Sequence, residues 1–489
     1  MLQTKAVFAL SLTASLLVGC AVGPNYAPPA VSEPARYLGQ AAIEQRSAAD
    51  GADLVSWWGS FEDPELTRLV DIALAQNLDL AQALARITQS RAQLRAATAA
   101  LLPQGQGSAS ATTSRLSTAT SEGQLLGELP GFERNEDVYE LDAGASWEID
   151  LFGGLRRNRE AARAEYGAAK AGVAAARIAV AADVADAYVA IRGLQTRLAV
   201  AREQVETQQR LVALVQLQMS KGVAARLQLD QAQGALKQVE ATVPALQTSL
   251  DQAFNALDVL LGAQPGVYRA ELLAPAPIPK APAITLAGGP ADLLRRRPDL
   301  IVAERTLAAS NARIGAAMSD YYPKVSLTGL IGAASGGTGE LFTAAAGESS
   351  GVVGLRWRLF DFGRVDAEVA SARGRNAEAL AAYRLSVLRA TEDVEDAFSK
   401  LVQSEAQAQT LAEGEAALER AREASTVAYK GGVVSLIEVL DADTRLLATR
   451  DARAEAATAA DRAAVASFRA LGGGWNPHAD LVKTVAEAK

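Results

Sequence analysis

Few residues of this 489-residue chain could perform covalent or metal chemistry. The sole histidine is His478, near the C-terminus, and the sole cysteine is Cys20. That removes histidine-dependent triads, cysteine nucleophiles served by a histidine, and ordinary zinc sites. The glycines of "LGGGWN" are not followed by Lys-Ser/Thr, so they read as a helix stop, not a phosphate loop. "RRRPD" at 295–299 reads as an ion-paired or solvated corner in which Pro298 opens a helix. Arg156, Arg157 and Arg159 form a cluster read as facing water, with contact to lipid phosphates as the alternative. Ser435 and Glu438 have the S-x-x-E spacing of a capping box. Asp441 lies four residues before Arg445, a favourable helix pair. Nothing here reads as an enzyme or calls for a cofactor.

Cys20 has a different chemistry. Lys5 opens a thin positive region, "AVFALSLTASLLV" is an apolar core, and "LVGC" follows at once. This is the layout of a secretory signal, too short for an ordinary membrane span. "LVGC" matches the bacterial lipobox, in which cysteine becomes the lipidated first residue after cleavage. Residues 1–19 are therefore expected to be removed, and Cys20 to carry the lipid, the only non-protein group expected. Ala21 stands where an Asp would favour retention in the inner membrane, so the anchor points to the outer membrane. Residues 20–63, punctuated by Pro24, Pro28, Pro29 and Pro34, read as an extended tether. A net charge of −8, spread along the chain, argues against nucleic acid as a partner.

The elements behind these residues come in two sets. "WEIDLFGG" from Trp147 and "WRLFDFGR" from Trp357 stand 210 residues apart. The same offset pairs Phe152 with Phe362, Asp183 with Asp393, Gly222 with Gly432 and Leu236 with Leu446. Such constancy marks an internal duplication of about 200 residues, longer than solenoid or propeller repeats. Repeat one covers 64–262, a Pro-rich linker 263–290, repeat two 291–471 and a tail 472–489. Each repeat reads as helix, hairpin, long helix, turn and returning helix, with turns near 222 and 432.

The hairpins are predicted at about 104–150 and 324–360. In "VYELDAGASWEID", Tyr139, Leu141, Ala143, Ala145, Trp147 and Ile149 alternate with Glu140, Asp142, Gly144, Ser146, Glu148 and Asp150. That is a strand with one apolar and one polar face, of the length that crosses a membrane. Its expected partner is "QGQGSASATTS". In repeat two, "KVSLTGLIGAAS" precedes "SGVVGLRWRLF", where Val353, Leu355, Trp357 and Leu359 share a face. Four such strands cannot close a barrel, and open edges cannot face lipid, so spanning demands an oligomer. Two copies would give a filled eight-stranded barrel, and three a twelve-stranded passage.

Neither 155–219 nor 365–429 contains proline. At about 1.5 Å per residue, each predicts roughly 100 Å of helix. Gly172, Gly193, Gly374 and Gly414 weaken that expectation, and Pro244 should kink the first returning helix.

The order of motifs resembles the outer-membrane efflux factor family, the TolC-like channels, in the lipoprotein branch related to NodT and OprM. "CAVGPNYAPP", "NALDVLLG", "LRRRPDLIVAERTLAASNARIGAAMSDYYPKVSLTG", "YKGGVVSLIEVLDADTRLLATRDA" and "RALGGGW" carry the resemblance over nearly the whole mature chain. It implies a mixed α and β fold: a homotrimer with a twelve-stranded transmembrane barrel continuous with a periplasmic α-helical barrel. It also implies a periplasmic adaptor and an inner-membrane pump of the RND type. The function expected is an outer-membrane exit duct that passively conducts small molecules. The alternatives are a type I protein-secretion duct and a pore-less structural lipoprotein of the periplasm.

By the family pattern, Tyr429, Gly432, Glu438 and Asp441 lie near the periplasmic aperture; Leu436 and Ile437 read as core packing, with an apolar constriction there as the alternative. The first-repeat counterparts Met219, Gly222, Gln228 and Gln231 lack the charge. Three symmetry-related carboxylates about 6 Å apart would repel by roughly 3 kcal/mol per pair at an effective dielectric near 20. Such a ring binds cations, takes up protons or stays spread, and each outcome bears on conduction. The family often carries an Arg two residues after the tip glycine, where this chain has Val434. Adaptor docking is expected at Lys221, Gly222, Gly431 and Gly432.

Overall fold

The computed structural model describes residues 21–31, 34–46, 53–284 and 289–477. Cys20, the segment before it and His478 lie outside the described residues. Contacts divide the chain into two units. One comprises Met1–Pro29, Gln89–Gly167 and Glu304–Ala381, and the other Ala30–Thr88, Ala168–Ala303 and Ala382–Lys489.

The first unit is built on an antiparallel sheet of β1 (Gln104–Arg115), β2 (Asn135–Ile149), β3 (Lys324–Ser335) and β4 (Gly347–Arg356), in that spatial order. Trp147 faces Leu327, which in turn faces Val353, so one surface of the sheet is apolar across strands. The other surface carries Glu140, whose carboxylate accepts from Ser110 Oγ at 2.9 Å. The apolar side is open in the single chain: Ile331 is 67% exposed, Leu355 69% and Val353 75%.

Strand limits differ from the alternation in one instructive way. β2 runs to Ile149 because Val325 of β3 pairs with it beyond the last β1 pair at Ser146. β4 stops at Arg356, opposite Lys324 where β3 begins. Trp357 and Leu359, expected inside this strand, therefore lie beyond it. Alternation sets the face a residue points to, but a strand persists only where a neighbour supplies hydrogen bonds.

The second unit has an aromatic core. Trp57 stacks on Phe468 with centroids 5.2 Å apart, and Phe61 meets both rings edge-on. These aromatics correct the expectation of a tether reaching to 63. Trp57, Trp58 and Phe61 are buried in a short 3-10 turn, Trp57–Phe61, so the distal part of that segment is docked. Asp63 then accepts from the amides of Glu65 and Leu66 and caps α1 (Pro64–Gln76), which α2 (Leu78–Ala99) follows.

α3 (Gly154–Ser220) and α7 (Arg364–Lys430) are 67 residues each, continuous through Gly172, Gly193, Gly374 and Gly414. At Gly193 the reason is on view: an added Cβ would lie 2.2 Å from Thr458 Oγ1. The return in repeat one is split into α4 (Arg226–Glu240) and α5 (Thr242–Leu260). Pro244 explains the break, because its ring conflicts with the carbonyl of residue 240 and it has no amide hydrogen. α6 (Pro298–Met318) leads into β3, and α8 (Leu436–Ala470), without proline, is unbroken. Arg197–Asp451, Arg462–Asp186 and Arg469–Asp183 ion pairs run along the α3–α8 seam. Of the two readings of the 295–299 corner, Arg297 takes the ion-paired one: its guanidinium is bound by Asp299 and Asp393.

Candidate functional site

Both helical tips are closed by the same backbone device. Gly222 has φ +74° and Gly432 φ +75°, values that favour glycine. The amide of Val223 donates to the carbonyl of Gln218, and that of Gly222 to Met219. Val433 to Ala428 and Gly432 to Tyr429 repeat the pattern, a Schellman end at each tip. Beneath lies one core of Leu211, Val215, Leu229, Tyr429, Leu436 and Val439. Val223, Leu227, Val433 and Ile437 remain 60–80% exposed.

The residues singled out from sequence fall into different environments. Tyr429 is buried, its phenol pushed upward in pKa by burial, and its hydroxyl donates to Gln218 Oε1 at 2.6 Å. Glu438 is exposed, and its carboxylate takes a hydrogen bond from the Ser435 hydroxyl, which holds it below the usual range. Ser435 makes no side-chain bond to the helix amides, so only part of the capping box forms. Asp441 is exposed and pairs with Arg445 at 2.9 Å. Lys221 and Gly431 flank the two turn glycines at the surface.

The carboxylate buried beneath this tip is a different one. Asp443 is 2% exposed, its pKa raised by burial against the pull of Arg422 at 3.0 Å. Gln208 Nε2 reaches the same carboxylate at 3.5 Å. The signal was present in the spacing: Leu436, Val439, Asp443 and Leu446 form one buried stripe at 3-4-3 intervals, and Asp441 lies off it.

A second constellation sits where β2 turns into α3. Asp150 caps this helix by accepting from the amides of Leu155 and Arg156. Arg157, read from sequence as facing water or phosphate, is instead 4% exposed. It donates to the carbonyls of Val22 and Gly23, to Asn25 Oδ1 at 2.8 Å and to Glu160 at 2.8 Å. The amide of Val22 donates to Phe152 O, and Gly23, at φ +92°, leaves no room for a Cβ against Gly315. The segment after Cys20 is thus strapped across this corner. No spacing rule reveals an arginine whose partners lie about 130 residues away.

Among the described residues no helix is long and apolar enough to cross a membrane, and no group of three or more His, Cys, Asp or Glu could hold a metal. An amphipathic sheet with open edges, long proline-free helices and glycine-closed tips are the elements expected of one chain of a TolC-like protein. The family model for outer membrane efflux proteins matches residues 69–263 and 289–473, and the chain belongs to that family. It is 33% identical to the outer membrane protein OprJ of Pseudomonas aeruginosa over 98% of each chain. It is 32% identical to the cation efflux system protein CusC of Escherichia coli, over 94% of this chain and 96% of that one. The solved outer-membrane channel OprN aligns with a TM-score of 0.84 at 33% identity, over 93% of this chain and 100% of the other. The protein is an outer-membrane efflux protein.

Proposed function

We propose that three copies form the exit duct of a tripartite efflux system. Their sheets close a twelve-stranded barrel in the outer membrane, continuous with an α-helical barrel in the periplasm. The observation that carries this reading is the sheet: four strands, an exposed apolar face, and unpaired edges at β1 and β4. Such edges cannot face lipid, so the sheet must be completed by other copies. The internal duplication gives each chain two hairpins and two tips, hence six of each around a trimer.

In this reading an inner-membrane pump of the RND type drives small molecules through a periplasmic adaptor, and the duct conducts passively. The adaptor seats on the tips at Lys221, Gly222, Gly431 and Gly432. Asp441, Glu438 and Ile437, all exposed near the second tip, supply the periplasmic gate, and Tyr429 steadies it through Gln218. Cys20 carries the lipid anchor.

Single-channel conductance of the purified protein in planar bilayers, beside Asp441→Ala, tests the duct. A small cation-preferring current that grows in the variant is expected. Current unchanged by the substitution would return Asp441 to its pair with Arg445. Silence from inserted, intact trimers would overturn the duct.

A further inference from the structure

We infer that an acyl chain of the lipid on Cys20 lies in an apolar groove on the same chain's sheet, across β2, β3 and β4. The inference rests on the lipid anchor and the barrel proposed above. It gives the anchor a seat on the protein instead of in bulk bilayer.

The groove opens on the apolar side of the sheet and has a volume of about 400 Å³. Small-molecule sites occupy about 300–1,000 Å³. One wall is the row of Trp147, Leu327 and Val353, which stand side by side on three strands. The floor is the next row on the same face, Ala145, Gly329 and Gly351. Trp147 Nε1 donates to Leu101 O at 2.9 Å, which draws the indole toward the end of the sheet where β1 begins and away from that floor.

The two floor glycines answer no need of the chain itself. Neither has a positive φ. A Cβ added at Gly351 would meet nothing within 4 Å, and one added at Gly329 only Ser350 O at 4.0 Å. Glycine inside a strand weakens it and marks a place where another group comes close. Here that group is apolar, because Trp147, Leu327 and Val353 offer it no hydrogen bond.

The N-terminal strap identifies the group. Ala21 lies against Gly153, where an added Cβ would be 2.6 Å from Ala21 Cα. The Val22 amide donates to Phe152 O at 3.0 Å. Cys20 is the next residue, its Cα about 3.8 Å from that of Ala21. The lipid therefore starts at the corner just beyond the end of β2. From Ile149 at that end to Ala145 is about 13 Å along the strand. An acyl chain spans half of a hydrocarbon core about 30 Å thick, so it reaches the floor. Strands of a barrel tilt about 35–45° from its axis, so a groove crossing them slopes through the leaflet, as a chain rising from the corner does.

Photo-cross-linking of the full chain tests this seat. Cells are fed a fatty acid with a diazirine at its methyl end, and outer-membrane vesicles are irradiated and digested with trypsin. Trypsin frees the acylated peptide 20–36 and the sheet peptides 135–156 and 325–356. The expected product is 20–36 joined through its acyl chain to 325–356, which carries Leu327, Gly329, Gly351 and Val353. Gly329→Leu with Gly351→Leu fills the groove at positions with room for a side chain. It should abolish that product while acylation and outer-membrane content stay at the parent level. Peptide 20–36 joined only to phospholipid, or a product of equal yield in the filled variant, overturns the seat and leaves the anchor standing. Covalent dimers on a denaturing gel would place the acyl chain on a neighbouring copy and overturn the seat as well. A peptide 20–36 without lipid overturns both seat and anchor.

Discussion

Arg422 on α7 lies 3.0 Å from the carboxylate of Asp443 on α8, a pair whose acidic member is all but sealed from solvent. Two residues earlier, Asp441 pairs with Arg445 along its own helix in the open. The two carboxylates differ by two positions and by their entire surroundings. Asp443 joins α7 and α8 below the tip, and Asp441 joins nothing beyond its own helix turn.

Asp443→Ala should therefore destabilise the protein by about 2–4 kcal/mol, since it strands Arg422 and leaves Gln208 without its carboxylate. Asp441→Ala should change stability by no more than about 0.5 kcal/mol, as for exposed pairs within a helix. Denaturant unfolding of both variants separates them. Equal effects would contradict the burial argument. If conductance responds to Asp441→Ala while stability does not, Asp441 acts on ions and not on the fold.

Arg157 makes a comparable claim on the N-terminal strap. Its guanidinium holds Val22, Gly23 and Asn25. Arg157→Ala should cost about 3 kcal/mol locally and free residues 21–29, with Arg157→Lys losing part of that because one ammonium cannot bridge the same acceptors. Amide hydrogen exchange on the intact protein reads this directly. The Val22 amide, bonded to Phe152 O, should exchange faster in the alanine variant and intermediately in the lysine variant. Unchanged protection would show that the strap is held instead by the Tyr26 hydroxyl, which donates to Glu304 Oε1 at 2.6 Å, by Asn311 Nδ2, which donates to Pro24 O at 3.1 Å, and by the fit of Gly23.

The sequence speaks clearly where local chemistry decides and falls silent where distant partners do. Alternation from Tyr139 to Ile149, the proline-free runs and the Gly222 and Gly432 turns are period and backbone effects, so their elements are legible. Pro244 is legible for the same reason. The end of β4 at Arg356 was not, because it depends on where β3 begins. Arg157 and Trp57 both look like surface or tether residues until chain from far away closes on them. Asp443 is legible too, through its place on the apolar stripe of Leu436, Val439 and Leu446.

Helix glycines divide along the same line. Gly193 lies under Thr458, whose Oγ1 would be 2.2 Å from an added Cβ, while nothing stands within 4 Å of the same position at Gly172. Gly172→Ala should stabilise by roughly 0.5–1 kcal/mol through helix propensity. Gly193→Ala should destabilise by about 1–3 kcal/mol, because the α3–α8 approach must widen. Pairing it with Thr458→Ala removes the Oγ1 and Cγ2 contacts but leaves the Cβ of residue 458 at 2.9 Å, so it should recover only part of the loss. Thermal unfolding of the three variants decides this; a gain in Gly193→Ala alone would mean the seam yields freely.

Asp461 on α8 is 8% exposed and accepts from the Ala281 amide at 2.8 Å, pinning the inter-repeat linker. Burial pushes its pKa up to about 7, with Glu405 adding to the rise and Arg46 opposing it. A carboxyl raised in the folded state holds a proton that the unfolded chain has released, between roughly pH 4 and 7. Its contribution is therefore fully present below about pH 4 and is lost as pH rises through about 7, amounting to roughly 4 kcal/mol. Asp461→Asn keeps an oxygen for the Ala281 amide and removes the titration. Urea unfolding at pH 5 and at pH 8 should show the parent losing stability toward pH 8 and the variant losing much less. Parallel behaviour in the two proteins would mean that Asp461 is ionised in the folded chain throughout, its charge balanced by Arg46.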